Sequence, residues 1–463
     1  MLSILRRCAL PLTLFGAAFL SPLGAKEFFV APNGSDTAAG TKAAPFATVQ
    51  RAQQAVEAGD TVFIRGGTYR MTGAQIGGRA GAYDCITLLE KSGAPGKPIR
   101  YWAYRGERPV FDCSDVKPAG RRVTAFRVNG SWLHLKGIEV VGVQVTITGH
   151  SQSICFDNEG SNNVYEQLSM HDGMAIGLWI GDGANNLVLN CDAYRNHDPV
   201  SSGGRGGNVD GFGYHGPKGS VNNVFRGCRA WFNSDDGFDF IHSGEVARIE
   251  ACWAFYNGFS TAFAPLADGN GFKAAGWANR RPDQLPDPLP RHVVTGSVAV
   301  RNKANGFYAN HHPGGIEFTG NTAYKNPVNF NLLGRDPKDN VTKIPGRGHR
   351  LKNNLGFAAT GSEVAELDSA ASDVSGNYFN LAVTITAEDF LGLDEADLVK
   401  PRKRNGDLPD VAFLHLARGS DAIDRGVDVG RPFKGRAPDL GAFESKRRGI
   451  FGSLSSFFGA RSK

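Results

Sequence analysis

The sequence predicts an all-β solenoid in which short strands coil around one continuous core. A unit of 24 residues separates Asn233 from Asn257, and the same spacing separates Asn302 from Asn326. Strand-like runs alternate with turns rich in glycine and asparagine. Glycine supplies 60 of the 463 residues, nearly twice its usual share of roughly 7%. One such unit cannot bury its own apolar face, so the units are expected to stack as coils.

Residues 1–25 have the layout of a secretory signal peptide. Arg6 and Arg7 precede an apolar run from Cys8 to about Leu20, and small residues follow. The run is short for a membrane span, and Pro11 interrupts it. We therefore predict a cleaved signal and a protein secreted to the periplasm or the extracellular space, with no membrane partner. A retained anchor is the alternative.

The mature chain begins with a predicted cap for the open end of the solenoid. Phe46, Val49, Ala52 and Val56 recur at helical spacing. A short helix there would cover the exposed edge of the first coil. Strand-like runs such as "TVFIR" and "PIRYWAY" follow, and we assign residues 26–445 to one solenoid domain.

Asparagines mark one turn in successive coils, and a small or polar residue stands five positions before each of them. Stacked coils place equivalent positions about 4.8 Å apart. We therefore predict a ladder of amides at a tight turn. Its members are Asn196, Asn233, Asn257, Asn302 and Asn326.

The positions before these asparagines explain three of the seven cysteines. Cys191, Cys228 and Cys252 occupy them on neighbouring coils. We expect an inward column of small apolar side chains there rather than a disulfide. For Cys85 and Cys113 the sequence leaves a disulfide and free thiols equally open, since export would permit the bond.

Four Gly-Phe pairs define a second column. Side chains alternate across a strand, so an inward phenylalanine is followed by an outward residue. We place Phe212, Phe238, Phe272 and Phe307 in one inward stack. The outward column then reads Gly213, Asp239, Lys273 and Tyr308.

This register gathers acidic residues beside one lysine. Lys273 falls about one coil from Asp239, while Asp210 and Asp236 share the position two before a phenylalanine. Asp235 lies at the bend just before. Four carboxylates without a cation would repel strongly, and oxygen ligands without His or Cys suit Ca²⁺. We therefore predict a Ca²⁺ site at these four acids, with a solvated acidic turn neutralised by the lysine as the alternative.

Three insertions are predicted to wall a groove over this cluster. "DPVSSGGRGG" and "GFSTAFAPLADG" precede the strands that carry Asp210 and Lys273, and "GWANRRPDQLPDP" follows the lysine. An elongated solenoid face suits a polymer. Basic residues near the groove could pair with substrate carboxylates or be ordinary surface charge: Arg280, Arg281, Arg301 and Lys303.

Past about Gly356 the repeat fades into irregular loops that we expect to pack along the side. The tail, residues 446–463, is basic and apolar and is predicted to be a disordered end. The formal net charge of +6 is mild and dispersed, which argues against a nucleic-acid partner. We expect a monomer.

The motifs "NVDGF", "NSDDGFD" and "NGFK", in this order on such a repeat, resemble family 9 polysaccharide lyases, the pectate lyase L group. The start of the mature chain and the end "SDAIDRG…APDLGAFE" are similar as well, although such ends recur in other β-helix proteins. The resemblance implies a right-handed parallel β-helix over nearly the whole mature chain. It also implies Ca²⁺-dependent β-elimination on pectate, with Ca²⁺ at Asp210, Asp235, Asp236 and Asp239 and Lys273 as the base.

The chemistry agrees with the residues. Elimination from a uronate removes the proton at C5, next to a carboxylate, and a bound cation stabilises the charge that develops. The lysine must be neutral, although its ordinary pKa is about 10.4, so a neighbouring cation must lower that pKa. The hypothesis predicts activity that rises with pH and vanishes with a chelator.

Three alternatives stay open. A polygalacturonase-type hydrolase would use Asp235 and Asp236 as acid and base, but its expected Gly-His-Gly and Arg-Ile-Lys motifs are represented only by "YHGP" and "ARIEA". A non-catalytic solenoid would bind carbohydrate without cutting it. A lyase could also act on another acidic polysaccharide, such as alginate or a glycosaminoglycan.

Overall fold

The computed structural model describes residues 24–445, which form a parallel β-helix. Three long sheets, of 12, 10 and 11 strands, run along it, and neighbouring strands in each sheet come from successive coils, apart from the antiparallel hairpin of Gly78–Ala80 and Tyr83–Leu89. The predicted all-β solenoid is confirmed. Residues 1–23 of the predicted signal and the predicted tail at 446–463 lie outside the described residues.

The strand bounds follow the three sheets in spatial order. The first sheet contains Glu27–Val30, Thr61–Ile64, Ile99–Ala103, Leu133–Lys136, Val164–Glu166, Leu187–Leu189, Asn223–Arg226, Ala247–Glu250, Val293–Thr295, Glu317–Thr319, Arg350–Lys352 and Asp373–Ser375. The second contains Gly67–Thr72, Pro109–Asp115, Glu139–Val141, Ser169–His171, Asp192–Tyr194, Arg229–Trp231, Trp253–Phe255, Val298–Val300, Thr322–Tyr324 and Leu355–Phe357. The third contains Gly78–Ala80, Tyr83–Leu89, Arg122–Val128, Ser153–Asn158, Ala175–Ile180, Phe212–Tyr214, Phe238–Asp239, Phe272–Lys273, Asn305–Tyr308, Val328–Asn331 and Ser362–Ala365.

The remaining elements are short. Gly334–Arg335 and Lys343–Ile344 pair as an antiparallel ribbon, and one α-helix spans Val49–Ala55. The 3₁₀ turns are Gly73–Gln75, Pro282–Gln284, Ala387–Asp389 and Glu395–Val399. Among the described helices, none has the length and apolar character needed to cross a membrane.

The asparagine ladder forms as predicted. The Nδ2 amide of each asparagine donates to the Oδ1 atom of the next, at 3.0 Å from Asn196 to Asn233 and 3.1 Å from Asn233 to Asn257. Asn257, Asn302 and Asn326 continue it with two bonds of 3.0 Å. All five side chains are buried, so the ladder satisfies amides that would otherwise be costly inside the protein.

The cysteine column is also confirmed. The Cys228 backbone N–H donates to Cys252 Sγ at 3.4 Å, and the Cys252 N–H donates to Ser297 Oγ at 3.1 Å. The six cysteines in residues 24–445 are all buried free thiols, which decides the open question for Cys85 and Cys113.

The phenylalanine stack explains why each phenylalanine follows a glycine. The rings of Phe212, Phe238, Phe272 and Phe307 lie parallel with centroids 4.9 to 5.0 Å apart. A Cβ atom on Gly237 would lie 2.6 Å from the next coil's carbonyl oxygen and 2.8 Å from a ladder amide. Only glycine lets the strand approach the ladder this closely.

The N-terminal cap is confirmed over Val49–Ala55. The Thr48 side chain accepts a hydrogen bond from the Arg51 N–H, which caps the helix N-terminus. Gln50 Oε1 accepts from the Leu88 N–H at 2.7 Å and so ties the helix to the third sheet. The four predicted core residues of this segment are all buried: Phe46, Val49, Ala52 and Val56.

The C-terminal segment packs on the outer face of the second sheet, as predicted. Phe390, Leu398 and Phe413 lie in one apolar cluster with Trp253 and Val298. The coils themselves continue to Asp373–Ser375, about one coil beyond the point where the sequence repeat fades. The third sheet is left to carry the acidic residues on its outer face.

Candidate active site

The outward column of the third sheet has the predicted register. Gly213 pairs with Asp239, Asp239 pairs with Lys273, and Lys273 pairs with Tyr308. The structure therefore places the lysine directly beside an aspartate of the preceding coil. Because the phenylalanines occupy the inward positions, both charged side chains are held on the outer face.

Three aspartates converge around this position. Asp210, Asp236 and Asp239 each offer a carboxylate oxygen, and these oxygens lie within 4.8 Å of one another. All three residues are buried. Asp210 and Asp236 occupy the same place on adjacent coils, since the Asp236 N–H donates to Asp210 Oδ1 at 3.0 Å.

Lys273 lies between two of these acids. Its Nζ atom is 3.1 Å from Asp236 Oδ2 and 3.1 Å from Asp239 Oδ2. Asp236 Oδ1 accepts from the N–H and the Nδ2 amide of Asn270, both at 2.7 Å. Asp236 Oδ2 is fully buried and has no hydrogen-bond partner among the described residues. Its contact with the lysine is thus an ion pair without hydrogen-bond geometry.

Asp235 lies beside this group rather than within it. Its Oδ2 atom accepts from the Asn208 N–H at 2.7 Å, and its Oδ1 atom accepts from the Asp268 N–H at 3.0 Å. Asn208 and Asp268 stand at or near the ends of the first two insertions. Asp235 therefore anchors both loops while its carboxylate lines the same pocket.

The electrostatics of the group are unbalanced. Burial and the charges of the other three acids raise the pKa of Asp210 well above its usual range. Burial and the charge of Asp236 raise the pKa of Asp235 to about 7. Burial acts to lower the pKa of Lys273, but the surrounding carboxylates raise it well above its usual range. One ammonium faces four acids, so the protein alone cannot balance their charge when all four are ionised.

The donor set fits a hard divalent cation. The converging ligands are carboxylate oxygens, without His or Cys, and Asp236 Oδ2 is a buried oxygen with an unused acceptor site. Such a set suits Ca²⁺ better than a transition metal. A divalent cation bound here would offset the charge of these acids.

A pocket of about 500 Å³ opens over the acids and Lys273. The first two insertions wall it through Ser202, Arg205, Leu266 and Ala267. The third insertion is not among its lining residues, so the prediction that it walls the groove is wrong. Its Pro282–Gln284 turn forms a separate, exposed part of the surface.

Not all of the basic residues expected near the groove line the pocket. Lys303 lines the pocket and donates to the Ala267 carbonyl. Arg281 pairs with its neighbour Asp283 at 3.0 Å, and Arg301 pairs with Glu395 of the C-terminal segment at 3.4 Å. These two arginines are therefore engaged away from the acids.

The sequence reasoning missed four residues around the pocket. Trp179 and His215 line it on the N-terminal side, and Gln152 comes from a still earlier coil. Asn270 occupies the position two before Phe272, where Asp210 and Asp236 stand on their coils. Extending that column by one coil would have found Asn270, whereas Trp179 precedes the insertions and carried no motif.

Comparison with known proteins identifies the architecture and the class. A family model described as "Pel9A-like, right handed beta helix region" matches residues 28–354. Pectate lyase L of Dickeya dadantii is 34% identical over 426 residues, with 90% of each chain covered. The chain belongs to polysaccharide lyase family 9. The handedness implied by the resemblance is confirmed, and the protein is a polysaccharide lyase.

Solved structures extend the comparison. A rhamnogalacturonan lyase of known structure is 45% identical with a TM-score of 0.82, covering 85% of this chain and 97% of that one. The crystal structure of pectate lyase Pel9A is 32% identical with a TM-score of 0.72, covering 91% and 97%. A second family model, described as rhamnogalacturonan lyase-like, C-terminal, matches residues 368–460. It begins near the end of the coils, where the segment on the second sheet starts.

Proposed function

We propose that this family 9 lyase cleaves a galacturonate-containing polysaccharide by Ca²⁺-dependent β-elimination, with Lys273 as the base. The observation that carries the proposal is the placement of a single amine at the edge of an unbalanced group of buried acids. Nζ lies 3.1 Å from two of them and faces a pocket of about 500 Å³. That pocket is open along the solenoid face, which suits a polymer.

The reaction needs one base and one site for the substrate carboxylate. Lys273 Nζ takes the proton from C5 of the uronate, the C4–C5 double bond forms, and the C4–O4 bond breaks. The departing sugar oxygen leaves with the bonding pair and takes up a proton. General base catalysis of this kind contributes about a hundred- to ten-thousandfold to a rate.

The acids would hold the cation. Asp210, Asp236 and Asp239 supply converging oxygens, and Asp235 adds its charge from the pocket wall. A divalent cation there supplies positive charge to the substrate carboxylate, which makes the C5 proton more acidic. The same acids raise the pKa of Lys273, so their neutralisation favours the free amine that a base requires.

The hydrolase alternative fits the geometry less well. Both oxygens of Asp235 accept backbone hydrogen bonds, and Asp236 is fully buried beneath Lys273. Asp236 is therefore not placed to protonate a glycosidic oxygen or to activate water, and a hydrolase pair needs both acids at the substrate. The arrangement favours removal of a proton by the amine.

Two polymers follow from the relatives. The pectate lyases support polygalacturonate, the substrate expected from the sequence. The 45% identity to the rhamnogalacturonan lyase and the match at residues 368–460 favour rhamnogalacturonan as a second candidate. The N-terminal sequence supports secretion to a compartment in which such polymers are accessible to the enzyme.

The test is product analysis on a panel of polymers. Purified protein is incubated with polygalacturonate, rhamnogalacturonan and alginate, each with Ca²⁺ and with a chelator. We expect near-ultraviolet absorbance from the new double bond on a galacturonate polymer, its loss with the chelator, and its return when Ca²⁺ is added back. New reducing ends without absorbance would indicate a hydrolase, and binding without shortening would indicate a non-catalytic solenoid.

A further inference from the structure

One corner of the solenoid carries a column of large side chains outside the pocket. The residue before each ladder asparagine stands at the turn between the second and third sheets, with a φ between +46° and +59°. Two segments that are far apart in the chain meet on this column: the second insertion, residues 258–269, and the C-terminal segment. In order along the solenoid, the members of the column are Arg195, Phe232, Tyr256, Arg301 and Lys325.

The tip of the second insertion packs on the column through Phe263. The centroid of its ring lies 5.4 Å from that of Phe232 and 5.2 Å from that of Tyr256. The guanidinium carbon of Arg301 lies 4.3 Å from the Phe263 centroid, a cation–π contact. Phe263 has a φ of +58°, which is costly for a bulky side chain and persists only where the surroundings fix it. The contacts with the column therefore hold the tip of the insertion.

The C-terminal segment holds the same column through Glu395. The Oε2 atom of Glu395 accepts a hydrogen bond from the Tyr256 hydroxyl at 2.8 Å and lies 3.4 Å from Arg301 Nη1. The Oε1 atom lies 3.0 Å from Lys325 Nζ. Burial acts to raise the pKa of Glu395, but hydrogen bonds from Lys325 and Tyr256 hold it below its usual value. Arg301 thus contacts the Phe263 ring and the Glu395 carboxylate at once, which its planar guanidinium allows.

The far end of the second insertion reaches the acids. Residues 266–268 line the pocket, and the Asp268 N–H donates to Asp235 Oδ1 at 3.0 Å. The insertion is closed between its tip and this wall, because the Leu266 N–H donates to the Gly258 carbonyl at 2.8 Å. A shift of the tip is therefore carried to the pocket wall, and a small misplacement far from the chemistry can impair an enzyme.

We propose that Phe263, Arg301 and Glu395 are positioning residues that hold the pocket wall at residues 266–268 in place against the polymer. They are not among the residues that line the pocket, so they act through the insertion rather than on the substrate. The inference rests on the proposed lyase function. It adds to that function a role for the C-terminal segment, which supports the wall through Glu395 without forming any of it.

The kinetic test removes the Phe263 ring from its exposed position, where 36% of the residue is accessible to solvent. Initial rates of double-bond formation are measured with Ca²⁺ on polygalacturonate and on rhamnogalacturonan. For the polymer that is cleaved, we expect Phe263→Ala to raise KM about tenfold and to lower kcat less than twofold. The reason is that the wall contacts the polymer both before and during the reaction, whereas Lys273 and the acids stay in place.

Matched variants separate positioning from a general loss of stability. Phe433→Ala is the control, because Phe433 is 37% exposed and belongs to the C-terminal segment. It should leave KM unchanged, and Phe263→Tyr, which keeps the ring, should restore the unmodified KM. The free energy of unfolding in urea should be the same for all three variants. An unchanged KM in Phe263→Ala, or an equal rise in Phe433→Ala, would overturn the proposal.

A double variant tests the link to the C-terminal segment. Glu395→Gln keeps an acceptor for the Tyr256 hydroxyl but removes the charge that pairs with Arg301, and we expect KM to rise about threefold. Added to Phe263→Ala, it should raise KM no further, because both changes act through one contact. Two effects that multiply would show that Glu395 acts by a separate route.

Hydrogen exchange gives a measurement that does not depend on turnover. The amides of residues 266–268 should exchange about tenfold faster in Phe263→Ala than in the unmodified protein or in Phe433→Ala. Unchanged exchange would contradict the positioning role. Failure of the unmodified protein to form the double bond would instead contradict the proposed function, so the two failures are distinguishable.

Discussion

Among the buried charge clusters of the described residues, two are built in opposite ways. On the second sheet, Asp192 meets the guanidinium groups of Arg229 and Arg402. On the third sheet, one ammonium meets four carboxylates around Lys273. Both clusters are largely removed from water, yet the first has more cations than acids and the second has a large excess of acids.

Every strong hydrogen-bonding group of the Asp192 cluster is used. Arg229 donates to the two Asp192 oxygens at 2.9 and 2.8 Å and to the carbonyls of Leu398 and Lys400. Arg402 donates to Asp192 at 2.6 Å and to the Cys191 carbonyl at 3.1 Å. The cluster joins the second sheet to the C-terminal segment, so its role is structural.

The acid cluster differs in its unsatisfied oxygen and uncompensated charge. Asp236 Oδ2 accepts no hydrogen bond within residues 24–445, and Asp210 carries a strongly raised pKa. The same protein therefore contains one largely buried aspartate, Asp192, whose oxygens are fully hydrogen-bonded, and another, Asp236, with an oxygen that is not. Groups left imbalanced in a cleft are typical of functional sites, which is how the two clusters can be told apart before any assay.

The strongest test of this comparison is to keep the positive charge at position 273 and remove the ability of that side chain to become neutral. Lys273→Arg preserves a cation among the acids, but a guanidinium stays protonated at any accessible pH. We expect the rate of double-bond formation on the preferred polymer to fall roughly a hundred- to ten-thousandfold. Lys325→Arg, beside Glu395 on the second sheet, is the control and should keep full activity. A Lys273→Arg enzyme of near-normal rate would make this amine a structural counter-ion.

The next largest effect is expected at the structural cluster. Asp192→Asn leaves two buried guanidinium groups without their counter-charge, and loss of one partner of a buried ion pair costs about 3–5 kcal/mol. We expect the free energy of unfolding, measured in urea, to fall by that amount. The exposed Asp283→Asn is the control, since surface pairs contribute little. An unchanged stability would mean that Asp192 does not hold the C-terminal segment.

At the acid cluster, the same aspartate-to-asparagine change should raise the free energy of unfolding rather than lower it. Asp210→Asn keeps an oxygen for the Asp236 N–H but removes one of the mutually repelling charges. With a chelator present, we expect this variant to be more stable than the unmodified protein, because burial and the other three acids raise the pKa of Asp210 and make its charged form unfavourable. With Ca²⁺ present the order should reverse, because a ligand is lost. If Asp210→Asn destabilises the chelated protein, the acids are structural after all.

Much of the site could be predicted because a solenoid converts sequence spacing into spatial neighbourhood. Once the asparagines were aligned, Phe238 and Phe272 fell on one column and Asp239 and Lys273 on the next, and the structure has that register. The core needed only the repeat and the alternation of side chains. The insertions did not disturb it, since they leave the strands in register.

Contacts that cross between coils and loops could not be predicted in this way. Arg402 lies 210 residues from Asp192 in the chain and follows no repeat. Asp235 has the spacing of a ligand, and its oxygens also accept hydrogen bonds from the backbone of two insertions whose path the sequence does not specify. The position of Trp179 is known only from the structure, in which its ring fills the space above Gly213.

The smallest expected effect is the pH dependence of the stability that Asp192 contributes. Burial acts to raise the pKa of Asp192, but the hydrogen bonds and charges of Arg229 and Arg402 hold it below its usual value. A lowered pKa means that the stabilisation is fully present above the unfolded-state pKa, about 3.9. It is lost as pH falls through the lower folded-state value. The stability gap between the unmodified protein and Asp192→Asn, measured in urea, should therefore be constant from pH 7 to pH 5 and narrow toward pH 3. A gap that stays equally wide at pH 3 would show that Asp192 acts through packing rather than through its charge.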